Sequence, residues 1–253
     1  MELVMNEVEW VESMVRGRSL GDKPFITLAR YAIYLRERGH DDVEITRRLE
    51  DFLIRCDPSV NLLSWGDSIA KAVNGSVDKK LITVDCVAVT EDELAKIMSL
   101  KRVAEKKVMF ALVCLAKFRN IATGASGYWV NYDMADVFKW ANAHMSQKSR
   151  MLLLHDLAEA AMIGYNKRVD SVSIRVNIIN EESTPVVFIH DLRNLGNQYL
   201  MLMDHSGYIE CSECGRVVKR TGVAQKYCRD CAKRVNAMRA LVRYHEMKNI
   251  ETA

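Results

Sequence analysis

The chain has 253 residues, of which 49% are apolar and 27% charged, a balance that supports a packed core and excludes a disordered, fibrous or low-complexity protein. Its length suits one large domain or two to three small ones, and 12 glycines with only 3 prolines favour long helices over an all-β or collagen-like chain. The net charge of +3 conceals a modular pattern of −5 over 1–100, +6 over 101–180, −4 over 181–210 and +6 over 211–253, so two basic segments able to meet a polyanion alternate with acidic ones.

The opening MELVMNEVEW carries acids where a secretory signal needs a basic start. The longest apolar run, VMFALVCLA over 108–116, is far short of the roughly 20 residues that span a bilayer. A soluble, cytoplasmic chain with no membrane contact is expected.

The first hundred residues read as mostly helical. Asp22 precedes Pro24, which suits a first helical turn, and Phe25, Leu28, Tyr31, Ala32 and Leu35 then follow at helical spacing up to Gly39. Asp41 or Asp42 can cap the next helix, over 43–56, on which Ile45, Leu49 and Leu53 align. A shorter helix over 63–73 closes at Asn74-Gly75, and LITVDCVAV over 81–89 alternates like a strand. Thr90 and Glu93 form a capping box for a helix over 91–100. No repeat and no chemistry stand out here, so the region reads as a scaffold or a partner surface.

The middle third begins with a strongly apolar helix over 103–118, then a short strand over 128–130. Asn131 can cap a helix over 132–142 with Met134, Val137, Phe138 and Ala141 on one face. Ser146 can cap another ending near 162, with Leu153, Leu154, Leu157 and Ala161 on one face and Gly164 as its stop. Strands over 165–169 and 171–179 flank a turn at 169–171. Helix, strand, helix, turn, helix and hairpin is the element order of a winged helix-turn-helix, although a generic α+β module has the same order.

If the third of these helices read DNA, its outer face would carry Arg, Lys, Asn, Gln or Ser. It carries Lys148, Leu152, His155 and Glu159, flanked by Asp156, and the acids would repel phosphate. Arg150 in the first turn, with Lys167 and Arg168 at the base of the wing, can touch the nucleic-acid backbone. The face therefore serves either weak groove contact or a protein partner.

Seven cysteines include Cys211, Cys214, Cys228 and Cys231, spaced C-x2-C-x13-C-x2-C. Four thiolates at this spacing can close a tetrahedron around zinc with no position left for a catalytic water, so the site is read as structural. Gly215 suits the tight turn after the first pair. Residues 217–220 and 225–227 are expected to form a hairpin between the pairs, and Cys231 to sit in the first turn of a helix running to about 245. Cys114 lies within the apolar run and reads as a small buried hydrophobe.

The C-terminal helix is basic, and Lys219, Arg220, Lys226, Arg229, Lys233 and Arg234 are the candidate phosphate contacts. On it, Val235, Met238, Leu241 and Val242 form the apolar face. A solvated face or an acidic protein partner would use the same charges. No nucleotide, metalloprotease or hydrolase motif is present, the six histidines are dispersed, and no small-molecule substrate is evident. An enzyme is not expected.

The segments KVMFALVCLAKF (107–118), YWVNYDMADVFKWANA (128–143), LLLHDLAEAAMIGYNKRVDSVSIRVNII (152–179) and CSECGRVVKRTGVAQKYCRDCA (211–232) resemble a family of proteins from phages and prophages of Gram-positive bacteria. The last also resembles the treble-clef or ribbon fingers ending in Y-C-x-x-C found in mobile-element proteins. The resemblance implies a bacterial cytoplasmic setting and a mobile-element origin, and no activity. The expected fold is mainly α (α+β). It comprises a helical domain over 1–100, a winged-helix-like domain over 101–180, a connector over 181–210 and a zinc module with a basic helix over 211–253. The expected function is nucleic-acid binding, DNA before RNA, in transcription or replication control. A non-enzymatic adaptor or inhibitor of a host protein complex, such as a defence system or a polymerase, is the alternative.

Overall fold

The computed structural model describes residues 3–166 and 173–251, the last seven of these as backbone only. Ten α-helices and three small antiparallel sheets among the described residues make a mainly α chain with α+β character. The candidate contacts Lys167 and Arg168 and the turn at 169–171 lie outside the described residues.

The chain divides into two compact units between residues 85 and 86, where the sequence places a boundary at 100. The segment over 81–89, expected as one strand, serves both. Its first part stays with the N-terminal helices: the Glu7 amide donates to the Ile82 carbonyl at 2.8 Å, and the Ile82 amide to the Glu7 carboxylate at 2.9 Å. Its second part, β1 (Val87–Thr90), pairs instead with β5 (Pro185–Ile189).

The N-terminal unit is built on α1 (Glu7–Arg16), α2 (Pro24–Glu37), α3 (Asp42–Cys56) and α4 (Leu62–Asn74). Helix α1 has no counterpart in the sequence reading. It forms because Asn6 accepts the Glu9 amide at 3.1 Å and Val11 is buried in the core. On α2 the predicted face holds for Leu28, Tyr31, Ala32 and Leu35, whereas Phe25 is exposed. Asp41, not Asp42, caps α3 by accepting the Glu44 amide at 2.8 Å.

The second unit is organised around α6 (Val103–Thr123), on which every residue over 108–118 is buried. A helix apolar on all sides has to be surrounded, and α5 (Glu91–Ser99), α7 (Met134–Trp140), α9 (Leu195–Met203), β1, β2 (Trp129–Val130) and β4 (Ile174–Val176) all contact it. One charged pair sits in this core. Lys117 donates to both oxygens of Glu93, at 2.9 and 3.0 Å, and Glu93 also accepts the amides of Thr90 and Asn180 at 2.9 and 3.1 Å. The Glu93 half of the capping box thus also ties α5 to α6.

Strand β2, helix α7, helix α8 (Gln147–Glu159), strand β3 (Ile163–Tyr165) and strand β4 follow α6 in that order. Their strands form a three-stranded antiparallel sheet ordered β2-β4-β3. Asp133 rather than Asn131 caps α7, accepting the Ala135 amide at 2.6 Å, and Ser146 caps α8 as expected. Helix α8 ends at Glu159, not near 162, because Ala161 takes a left-handed φ of 55°, so Ala161 is exposed instead of sharing the buried face of Leu153, Leu154 and Leu157.

The segment over 181–210, expected as a connector, is part of this unit's core. Strand β5 completes the pair with β1, and α9 buries Leu195 and Tyr199. Gly196 permits this packing, since a Cβ there would lie 1.8 Å from the Ala141 carbonyl oxygen.

Candidate metal centre

The four predicted cysteines meet in space, with all their sulfur atoms within 4.8 Å of one another. A tetrahedral thiolate site with bonds of about 2.3 Å requires sulfurs ~3.8 Å apart, and Cys214 and Cys228 Sγ are 3.9 Å apart. Donor type, number and spacing therefore fit one four-coordinate metal ion.

The two pairs reach the site by different routes. Cys211 and Cys214 lie on the turn between β6 (Tyr208–Glu210) and β7 (Val217–Lys219), which pair antiparallel. The turn is closed by the Gly215 amide donating to the Cys211 carbonyl at 2.8 Å, and Gly215 needs its φ of 70° to make it. The predicted hairpin between the cysteine pairs is thus corrected: β7 pairs backwards with β6, and residues 225–227 form no strand. A hairpin placed before the first pair lets its own tip carry the ligands. Cys228 and Cys231 come from the start of α10 (Arg229–Glu251), with Cys231 in its first turn as expected. The positive end of a helix stabilises thiolates there. The Cys231 amide points at Cys228 Sγ, 3.5 Å away.

Cys211, Cys228 and Cys231 are buried and Cys214 half-buried. Burial pushes the Cys214 thiol up to about 12 and raises Cys231. Burial opposes the Cys211 thiolate too, yet backbone amides donating from Cys228, Glu213 and Cys214 outweigh it and bring that thiol down to about 6. Thiols bind a metal as thiolates, so protons are released when the site is filled.

The centre is docked on its own unit by three side chains from the segment taken for a connector. Arg193 donates to the Cys214 carbonyl at 2.7 Å, while Asn194 and Asn197 donate to the Val217 carbonyl at 3.3 and 3.2 Å. Asn197 also accepts from Asn142 at 2.6 Å, which ties the end of α7 to the cysteine turn. No sequence signal marks these residues, because neither their spacing nor their composition names a partner.

Of the predicted nucleic-acid contacts, Lys219, Arg220, Lys226, Arg229 and Lys233 are all exposed beside the centre, and none forms an ion pair among the described residues. Arg234 is also exposed but donates to Cys231 Sγ at 3.0 Å. On α8, Lys148 is exposed, whereas Arg150 bonds the Met145 carbonyl at 3.2 Å and lies over the Phe138 ring. The outer face of α8 also presents Met151 and Leu152, 66% and 56% exposed. His155, Asp156 and Glu159 cluster on this helix as well, with Asp156 engaged by Arg102.

Beyond Val235, the apolar members of α10 are not a packed face: Met238, Leu241 and Val242 are exposed. No helix among the described residues is long and apolar enough to cross a membrane. Compared with protein-family models, curated proteins and solved structures, the chain finds no match.

Proposed function

We propose that this chain is a zinc protein of a phage or other mobile element that binds nucleic acid, DNA before RNA, in transcription or replication control. The observation carrying this reading is the group of five exposed cations, Lys219, Arg220, Lys226, Arg229 and Lys233, around the four-cysteine centre with no ion-pair partner among the described residues. Arg229 and Lys233 are one helical turn apart and share a face. Zinc suits four thiolates at tetrahedral spacing and, with every position filled by sulfur, acts as a structural clamp. The arrangement of β6 and β7 before α10 supports a treble-clef reading of the module.

The strand order β2-β4-β3 after helices α6, α7 and α8 supports a winged-helix reading of the middle segment. Helix α8 is a poor groove reader, because Met151, Leu152 and Glu159 occupy its outer face and Arg150 is engaged with Phe138. In this reading the metal module grips phosphate and the middle segment positions it. The same exposed Met151 and Leu152 favour a second reading, an adaptor or inhibitor whose α8 face meets a protein.

Fluorescence anisotropy of the zinc-loaded chain with duplex DNA, single-stranded DNA and structured RNA tests the proposal. Five phosphate contacts predict a loss of roughly 500-fold in affinity between 50 and 200 mM salt. Changing Lys226, Arg229 and Lys233 together to Ala removes ~2.7 from the logarithmic salt slope while bound zinc stays at one per chain. Binding weaker than about 100 µM to every polymer, the weak end of non-specific affinity, overturns this reading and favours the adaptor.

A further inference from the structure

The N-terminal unit contains a cleft that the nucleic-acid reading does not use. It has a volume of about 430 Å³ and is lined by Glu12, Val15 and Arg16 of α1, by Tyr34 and Leu35 in the second half of α2 and Arg38 just after it, by His40, and by Arg48 of α3. Its volume lies within the range of about 300–1,000 Å³ of small-molecule sites, and its lining is largely polar and charged, with Val15 and Leu35 as the aliphatic members.

Its charge runs against its surroundings. Residues 2–85 hold 12 Lys and Arg against 15 Asp and Glu, yet the lining gathers three arginines and a histidine around one carboxylate. Arg38 lies over the Tyr34 ring, its Cζ 3.4 Å from the centroid, donates to the Tyr34 carbonyl at 3.3 Å and meets Glu12 at 3.5 Å. Tyr34 itself donates to Glu12 at 2.9 Å, which fixes the ring that supports the guanidinium. Arg48 commits its Nε to Glu44 at 2.6 Å, and its two terminal nitrogens have no bond among the described residues. Arg16 is exposed and forms no ion pair among the described residues.

We infer that this cleft is a binding site for a small phosphate monoester bearing a flat aromatic group, of mononucleotide size. Arg16 and Arg48 supply the forked donors that match a phosphate. The Arg38 guanidinium, stacked on Tyr34, offers the plane on which an aromatic ring lies. Val15 and Leu35 provide the apolar wall. The site belongs to the N-terminal unit and does not depend on the metal-module reading.

Isothermal titration of the full-length, zinc-loaded chain with adenosine 5′-monophosphate, inorganic phosphate and adenosine tests it. The monophosphate is expected to bind saturably, and phosphate or adenosine alone about tenfold or more weakly, as each lacks one half of the contacts. Arg16→Glu and Arg48→Gln each weaken the monophosphate about tenfold. Arg16 is exposed, so Arg16→Glu keeps the thermal transition in place and separates lost binding from lost folding. No saturable binding of the monophosphate, or affinity unchanged in Arg16→Glu, overturns the inference. So does a result in which the monophosphate does not bind but Arg16→Glu weakens duplex DNA, which would assign the cleft to a polymer surface.

Discussion

Replacing Glu93 by Gln tests how the second unit is held together. The substitution keeps the volume and one oxygen acceptor but removes the charge that faces Lys117, whose side chain is 5% exposed against 0% for Glu93. Of the two bonds to the ammonium, at 2.9 and 3.0 Å, only the one to the remaining oxygen survives, and because Thr90 and Asn180 donate to different oxygens, one of these backbone amides faces a donor NH2 instead of an acceptor. Stranding one member of a buried pair costs about 3–5 kcal/mol. For a unit of this size that corresponds to a fall in Tm of roughly 6–20 °C. Thermal and urea denaturation followed by circular dichroism measure it. Lys117→Met added to Glu93→Gln is expected to recover most of the loss, because no charge is then buried alone. A single variant within about 1 kcal/mol of the parent, or a double variant as damaged as the sum of the singles, would refute the reasoning.

Other consequences can be checked separately. Gly196→Ala places a methyl group into the Ala141 carbonyl and against Lys107 Cε, 2.8 Å away, so it costs about 3 kcal/mol or more by denaturation. It also loosens the cysteine turn that Asn197 holds, visible as faster amide exchange in β7. Hydrogen bonds from Arg47 and Arg48 hold the Glu44 carboxyl down at about 2, against its ordinary 4.5. A depressed folded value means that this contribution is present above about pH 4.5 and is lost as pH falls towards 2. In Arg47→Ala the NMR titration midpoint of Glu44 is expected to move up towards 4.5, and an unmoved midpoint contradicts the assignment. Arg234→Ala removes the donor to Cys231 Sγ and is expected to weaken metal binding about 10–100-fold in a chelator competition. Unchanged metal affinity would return Arg234 to the phosphate-contacting group.

Patterns confined to short stretches were legible in the sequence. Leu28 to Leu35 on α2 and Leu153 to Leu157 on α8 repeat at helical spacing, and Ser146 and Glu93 carry local capping chemistry, so each could be read where it stands. The four cysteines were readable for the same reason, since a ligand set announces itself by residue type and spacing. Long-range choices were not readable. Residues over 81–89 alternate like one strand, and only the availability of Glu7 on one side and β5 on the other divides them between two units. Val217 to Lys219 could pair with residues after them or before them, and the strand before them was chosen. Arg150 and Arg234 carry the same charge in sequence as Lys219 or Lys233, but a neighbouring Phe138 ring and a Cys231 sulfur engage them. Periodicity, capping and ligand type are local properties that the sequence determines by itself. Which strand edge, helix end or thiolate answers a given residue depends on packing across the chain, and only the tertiary structure decided that.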